Sequence, residues 1–455
     1  MGPSFDATTI AELSRRFEEP AWMAELRRHA WATHTQLPWP HASDDIWRRT
    51  DAALLDPLRG FAPVEPALFS SMHLSPAQFE EWAQPLGREQ LAVRANGIWV
   101  TPPAPESGIT IEELSRAARR SPDPIQRAIE ADGLSRAEQK LASLNTAFHH
   151  DDLSIQVAPG YSGCSPLRLV RLFAVSSNQA IFPLTVITVG AGSSLTLIDE
   201  YISLHATSLS SPTLTAPPTP HLVNSRIELV LEPGATAHYV RLQRWAPNAR
   251  EFLLQRATLG EGSTLTMANI TLGAALSKTH VITKLTGPHA STKLYGFVFG
   301  HGRQHVDQHT LQDHQAPHTQ SDLQFRAALQ DQSHLVYTGL IRIAESAQQT
   351  EAFQANHNLL LSQEARAETI PMLEILADDV QCKHGASVGP IDEEQTFYLQ
   401  SRGLSREAAE RLIVMGFIEP IVQQVPFEPL QERLRRELEG VFMRDGADSR
   451  MVMAG

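Results

Sequence analysis

The pattern of apolar and polar positions along the chain changes twice. Up to about residue 149, apolar side chains recur at helical spacing, as in EPAWMAELRRHAWATH, where Trp22, Leu26 and Trp31 follow Pro20. The segment TPPAPESG, residues 101–108, contains three prolines and a glycine and predicts a linker, after which helix resumes. This pattern predicts a helical or mixed N-terminal domain over residues 1–150.

Between residues 151 and 390 the apolar positions form short runs instead. The runs are rich in Val, Ile, Leu and Thr, and each follows a turn of small residues, as in VITVGAGSSLTLI at 186–198 and LVLEPGATAHYV at 229–240. They recur at intervals of roughly 14–20 residues. Because no helices separate them, the spacing favours a β-solenoid core over a βαβ sheet, with a β-sandwich as the second interpretation.

Helical patterning returns over residues 391–455. Asp392 with Gln395 has the form of a capping box and Gly403 suits the position after a helix end, which predicts one short helix. The next segment, REAAERLIVMGFIEPIVQQV, has little polar face, so it must be covered. Two interpretations are open for this C-terminal helical domain: packing against the β-region, or a docking surface for another subunit.

Charge and length exclude several classes of function. The 455 residues carry a net charge of −13, which argues against a nucleic-acid partner. The sequence has five lysines and no GxxxxGK[ST] motif, so we expect no P-loop and no ATP site of its own. No apolar stretch is long enough for a membrane span, and the first residues lack a signal or transit pattern, which predicts a cytoplasmic protein.

A histidine-rich segment is the densest group of candidate metal ligands. In HGRQHVDQHTLQDHQAPH, a strand would place His305, Asp307 and His309 on one face, a set that could hold zinc or iron. This set is the basis of an alternative function, a metal-dependent β-helix enzyme. Solenoids also stack like side chains into polar ladders, and a ladder is the more frequent explanation of such a pattern.

Cys382 and His384 form the second candidate site. Two positions apart on a strand, they would face the same way, and could supply two metal ligands or a thiolate with a neighbouring base. An inert, buried cysteine is the commoner arrangement. With Cys164 as the only other cysteine, the chain has too few thiols for a disulfide framework or for a self-contained iron–sulfur cluster.

Residues 338–417, from TGLIRIAESAQQTEAFQ to AAERLIVMGF, strongly resemble the conserved core of the SufB/SufD family of iron–sulfur cluster assembly proteins. The segment HVDQHTLQDHQAPHTQSD, residues 305–322, is similar to the histidine-rich segment of that family. Within the family, CKHGASVG and PMLEILADDV resemble the SufD subunit most, whereas LIVMGFIEPIV is closer to SufB.

The resemblance implies a right-handed parallel β-helix flanked by N- and C-terminal helical regions, and a non-catalytic scaffold subunit. It implies a SufB-like partner joined through the β-helix and a SufC-like ATPase docked through the C-terminal helices at about 391–445. Because solenoid edges pair readily, a homodimer is a further interpretation for the chain when it is alone. A transient iron–sulfur cluster would form at the interface with the SufB-like partner, with His384 and a cysteine of that partner as ligands and Cys382 beside them. The family's complex has also been linked to a flavin, and the residues leave open whether this chain binds it.

Overall fold

The structure is a computed structural model that describes residues 4–64, 81–82, 84–130, 133–150, 152–163, 165–204 and 219–452. In the last helix, side chains are described as far as residue 440. Cys164 therefore lies outside the described residues.

The core is built from two long, mainly parallel sheets. Sheet A has the strand order β20-β18-β16-β14-β12-β10-β8-β5-β4, with β7 and β1 attached beside β10, and sheet B has the order β21-β19-β17-β15-β13-β11-β9-β6-β2-β3. The strands of sheet A are β1 (Ala62–Pro63), β4 (Ile109–Glu113), β5 (Leu153–Val157), β7 (Gln179–Ile181), β8 (Leu184–Val189), β10 (His221–Leu231), β12 (Ala249–Leu259), β14 (Leu276–Leu285), β16 (His305–His314), β18 (His334–Ile343) and β20 (Arg366–Ile375). Those of sheet B are β2 (Gln90–Ala95), β3 (Ile98–Thr101), β6 (Leu167–Phe173), β9 (Ser194–Ser203), β11 (Thr236–Arg244), β13 (Thr264–Thr271), β15 (Ser291–Gly300), β17 (Gln320–Leu329), β19 (Thr350–Leu360) and β21 (Val380–Pro390).

The chain winds as a β-solenoid of about seven turns, which confirms the predicted fold. From β8 onward successive strands alternate between the two sheets, and from β10 onward each pairs in parallel with the strand two positions earlier. His305 thus lies opposite His334, 29 residues later. The intervals of about 14–20 residues seen in the sequence correspond to one strand and its turn, which is half a coil.

Glycines in a left-handed conformation close several of the turns between the sheets. Gly192 and Gly234 have φ angles of 63° and 68°, which a side chain would disfavour. Their amides donate to the next coil, Gly192 N to the Pro233 carbonyl at 3.0 Å and Gly234 N to the Glu261 carbonyl at 2.8 Å. The small-residue turns of the sequence therefore stack as regularly as the strands.

Helices from the first 150 residues cover the outer face of sheet A. They are α1 (Ala7–Arg16), α2 (Ala21–Gln36), α3 (Leu114–Arg120), α4 (Pro122–Ile129) and α5 (Arg136–Phe148). Phe148 of α5 packs with Phe182 and Phe252 in one buried cluster that includes Trp47. Strands β1 to β4 come from the same part of the chain and join the two sheets. The domain divisions near residues 150 and 390 stay a prediction.

Helices after residue 390 cover the outer face of sheet B. They are α6 (Glu393–Ser401), α7 (Arg406–Val422) and α8 (Glu428–Val452). Ile418 of α7 and Leu434 of α8 are buried against Val240 and Phe297 of the sheet. One face of α7 and α8 is thus packed against the β-region, as the first interpretation of the sequence predicts. Docking of another subunit on these helices stays a prediction. Among the described helices, none combines the length and apolarity needed to cross a bilayer.

Candidate functional site

The solenoid is open at its C-terminal end. β20 and β21 are the last strands of their sheets, each paired with one neighbouring strand within the described part of the chain. Ile375 on β20 is 38% exposed, whereas Ile343, which lies opposite on β18, is fully buried. The next residue, Leu376, is 62% exposed. The apolar lumen of the solenoid therefore reaches solvent at this end.

The opposite end of the solenoid is covered. There β3 and β4 turn antiparallel to their neighbours β2 and β5. Trp99 of β3 and Ile111 of β4 pack against the lumen core. The edge strand β3 there also exposes two apolar side chains, Ile98 and Val100, at 44% and 42%. The C-terminal end differs because its exposed Leu373 and Ile375 continue the lumen positions of Ile341 and Ile343, and among the residues described no further strand covers them. Such an end is a surface suited to another protein.

Cys382 and His384 lie on β21, the last strand of sheet B, as the alternation of the sequence predicts. Cys382 is opposite Ala352 and His384 is opposite Gln354, both buried residues of β19. Cys382 packs against the small apolar cluster at the end of the lumen, and His384, two positions on along the strand, is exposed. The two side chains share the lumen side of the strand, at the rim of the open end.

The Cys382 thiol is not activated in the isolated chain. It is a free cysteine, partly buried, and burial raises the pKa of the thiol. A raised pKa keeps the sulfur protonated at neutral pH, so the thiolate–base pair considered from the sequence is not favoured by the structure. Two donors on one strand are also fewer than the four that a cluster takes. The donor set suits a shared ligand shell rather than a complete one.

His305, Asp307 and His309 do share one face of β16, but the structure contradicts their use as a metal site. Asp307 is buried, forms an ion pair with Lys278 at 2.6 Å, and has Oδ1 3.0 Å from His309 Nε2. Burial alone would raise the pKa of Asp307, but Lys278 and His309 outweigh it and hold that pKa well below its usual range. Within the described ranges no group of three His, Cys, Asp or Glu side chains is placed to hold a metal ion.

The histidines instead form ladders between neighbouring coils. The ring centroids of His280 and His309 are 4.9 Å apart, as are those of His305 and His334. Burial, followed by the charge of Lys278, lowers the pKa of His309 to about 4, so this ring is neutral at neutral pH. A structural ladder therefore accounts for the histidine-rich segment.

A second exposed apolar surface lies on the C-terminal helices. Phe397 and Tyr398 on α6 are 72% and 56% exposed, and Leu412 on α7 is 54% exposed. We call Phe397, Tyr398, Leu404 and Leu412 the helical patch. The sequence analysis missed Phe397 and Tyr398. Two consecutive aromatic residues in a short helix are a usable signal of an exposed apolar surface, because the two side chains point in different directions and one packing surface cannot cover both.

A groove of about 520 Å³ lies between α6, α7 and the ends of β19 and β21, with Leu412 of the helical patch in its lining. Gly416 lies in the middle of α7, where glycine costs about 1 kcal/mol relative to alanine. An added Cβ there would meet no atom within 4 Å, so packing in this chain does not require the glycine. The groove is lined by Leu359, Pro390, Asp392, Gln395, Leu412, Ile413, Gly416 and Phe417.

A network of buried and partly buried ion pairs fixes α8 to the solenoid. Arg244 of β11 pairs with Glu200 of β9 at 2.7 Å and with Glu437 of α8 at 2.8 Å. Burial would raise the pKa of Glu200, but Arg168 and further arginines lower it to about 2. Because a buried charge is costly without its partner, this network ties the helix to the sheet.

Comparison with known proteins gives consistent matches over nearly the whole chain. Residues 172–417 match the family model described as SUF system FeS cluster assembly, SufBD core domain. The chain is 25% identical over 448 residues to the iron–sulfur cluster assembly protein SufB of Bacillus subtilis, which covers 95% of this chain and 92% of that protein. It is 26% identical over 408 residues to a SufBD family protein of Synechocystis, covering 88% and 87%. A SufBD family protein of Mycobacterium leprae is 32% identical over 221 residues, covering 47% and 56%.

Proposed function

Because the chain belongs to the SufBD family of iron–sulfur cluster assembly proteins, we propose that it is a SufD-like, non-catalytic scaffold subunit of a cytoplasmic SufBCD-type complex. The SufD-like assignment is supported by the sequence CKHGASVG at residues 382–389. In this role the iron–sulfur cluster is cargo, assembled on the complex and passed on.

The observation that carries the proposal is the position of His384 at the open end of the solenoid. The imidazole is exposed on the last strand, with Cys382 two residues before it on the same side. A partner that covers this end brings its own side chains to His384. We propose that His384 and a cysteine of a SufB-like partner then bind the growing cluster, with Cys382 beside them.

The open end offers that partner two kinds of contact. Among the residues that the structure describes, no strand pairs with the outer edges of β20 and β21, which are 10 and 11 residues long, and a partner strand can hydrogen-bond to them. The exposed Leu373, Leu376 and Val388 add apolar area beside those edges. A SufB-like chain with a similar open end fits this surface, and self-pairing through the same edges would give a homodimer when the partner is absent.

The helical patch supports docking of a SufC-type ATPase. The chain has no P-loop sequence, so ATP hydrolysis would have to come from another subunit. Phe397, Tyr398 and Leu412 present an apolar surface with an open groove behind it. Since α8 is tied to β9 and β11 through Arg244, closure of a docked ATPase could be transmitted to the solenoid as a rigid-body shift.

Co-purification tests this function. We expect the tagged full-length chain, co-expressed with a SufB-like and a SufC-like protein, to retain both, and the complex to carry iron and sulfide. The chain expressed alone should hold no stoichiometric cluster. A chain that retains neither protein, or that holds a full cluster or turns over a substrate by itself, would contradict the proposal.

A further inference from the structure

A segment of the N-terminal region lies across the outer face of sheet A, and one of its side chains reaches the strand at the open end. This segment, residues 44–55, contains two short 3₁₀ turns, Asp45–Trp47 and Ala52–Leu55. We call it the strap. Its contacts reach from β12 to β20, which is about 19 Å across neighbouring strands of the sheet.

The strap is anchored in the middle of the sheet. The Trp47 side chain is buried, and the Lys278 ammonium of β14 lies 4.9 Å from the centre of its ring and donates to the Ile46 carbonyl. On β16, the Thr50 hydroxyl lies 2.9 Å from His305 Nε2 and donates to the Asp307 carboxylate. These buried contacts fix the position of the strap relative to the sheet.

At the edge of the sheet the strap reaches the last strand. Arg49 pairs with Glu368 of β20, and Glu368 Oε1 also lies 3.1 Å from His334 Nε2 on β18. Partial burial alone would raise the pKa of Glu368, but Arg49 and His334 together outweigh burial and lower that pKa. The carboxylate thus joins the edge strand both to its neighbouring strand and to the strap.

We propose that the strap acts through Arg49 and Glu368 as a clamp on β20, and that it holds this edge strand in the conformation that the SufB-like partner binds. The inference rests on the proposed function for the identity of that partner. In it, Arg49 is a positioning residue, because it acts on the interface only through Glu368.

The physical need for such a clamp follows from the position of β20. An interior strand is held by two neighbours, whereas β20 pairs only with β18 in the part of the chain described, and strands at sheet edges open locally more often. Arg49 and Glu368 are 30% and 41% exposed, so their attraction is modest. We therefore expect an effect on local opening of β20 rather than on global stability.

Hydrogen exchange and partner binding test the clamp together on the full-length chain. We expect Arg49→Glu to increase amide exchange in residues 366–375 about two- to fivefold and to weaken SufB-like binding by a similar factor. The double variant Arg49→Glu/Glu368→Arg exchanges the two charges. It should restore both readouts in part, because it rebuilds the contact with the strap but loses the contact of Glu368 with His334. Arg48→Glu is the matched control, because Arg48 pairs with Asp45 inside the strap, and it should leave both readouts unchanged.

Three results would overturn the clamp. They are unchanged exchange in residues 366–375 of Arg49→Glu, failure of the charge exchange to restore protection, and faster exchange with unaltered partner binding. The exchange measurement needs no partner. If the wild-type chain bound no SufB-like protein, the proposed function would fail, and the exchange results would still decide whether Arg49 holds β20.

Discussion

Leu373 on β20 lies directly opposite Ile341 on β18, yet Leu373 is 42% exposed and Ile341 is fully buried. The two side chains occupy the same lumen position in successive coils. The difference arises because no further coil covers Leu373 in the described structure. The last coil therefore presents core side chains to solvent, which is what an interface needs and what an isolated protein normally avoids.

Leu373→Asp should weaken binding of the SufB-like partner at least about tenfold, or 1.4 kcal/mol. The substitution places a charge where the partner would bury an apolar side chain. Thermal stability of the isolated chain should change little, because the side chain is already partly exposed. Titration of the purified chain with the partner measures the Kd, and an unchanged Kd would show that the open end is not the interface.

Phe397→Ala should weaken binding of the SufC-type ATPase about tenfold, because it removes the most exposed aromatic ring of the helical patch. Leu412→Asp should act in the same way. The two surfaces provide controls for each other: Phe397→Ala should leave the SufB-like interaction intact, and Leu373→Asp should leave the ATPase interaction intact. Equal loss of both partners in either variant would mean that the surfaces are not independent.

Lys278→Met should destabilise the chain by about 3–5 kcal/mol, because it leaves the buried Asp307 without its cation. Adding Asp307→Asn in the same chain should recover much of this loss, since the uncompensated charge is then gone. Thermal unfolding of the two variants measures the effect.

Bound metal should be the same in the wild type and in Asp307→Asn alone. Loss of stoichiometric metal in that variant would instead support the alternative function, a metal-dependent β-helix enzyme.

Asp152 should make stability depend on pH. Burial raises its pKa from 3.8 to about 7, although Arg27 and His150 oppose the shift. A folded-state pKa above the unfolded value means that the folded chain binds the proton more tightly, so this contribution to stability is full at low pH and is lost as the pH rises through about 7. Between pH 5.5 and 8 it should fall by up to about 2 kcal/mol.

Asp152→Asn isolates this effect, because asparagine resembles the protonated acid and does not titrate. Its unfolding free energy, compared with that of the wild type, should therefore be relatively higher at pH 8 than at pH 5.5. Denaturant unfolding at both pH values gives the comparison. A difference between the two proteins that does not change with pH would contradict the assigned proton.

The local sequence pattern predicted the β-solenoid, because each coil needs the same kinds of residue in its turns and strands. The turn around Gly234 needs a left-handed residue, and runs rich in Val, Leu and Thr lie on either side of it. The strand Gln90–Ala95 was not predicted. It pairs with Leu167–Phe173, more than 70 residues later, and such a pairing depends on tertiary context rather than on local pattern.

The candidate site was predictable only in part. The two-residue spacing places Cys382 and His384 on one side of a strand, but their exposure depends on the following helices, which pack on the outer face of sheet B and leave the lumen uncovered. Likewise, the partner that occupies Asp307 is Lys278, 29 residues earlier and one coil away. The spacing in the sequence places His305, Asp307 and His309 on one face, but the register between coils determines which side chains they contact. In the structure those contacts form a ladder rather than a metal site.

Cluster content of the co-expressed complex tests the central claim most directly. Iron and sulfide are measured in the purified SufBCD-type complex containing either wild type or His384→Ala, together with maturation of a recipient iron–sulfur enzyme. The control is His29→Ala, an exposed histidine on α2. We expect His384→Ala to assemble normally but to lose at least about tenfold in cluster content and maturation, while the control keeps both. Normal cluster content and normal maturation with His384→Ala would contradict the role of this imidazole at the open end.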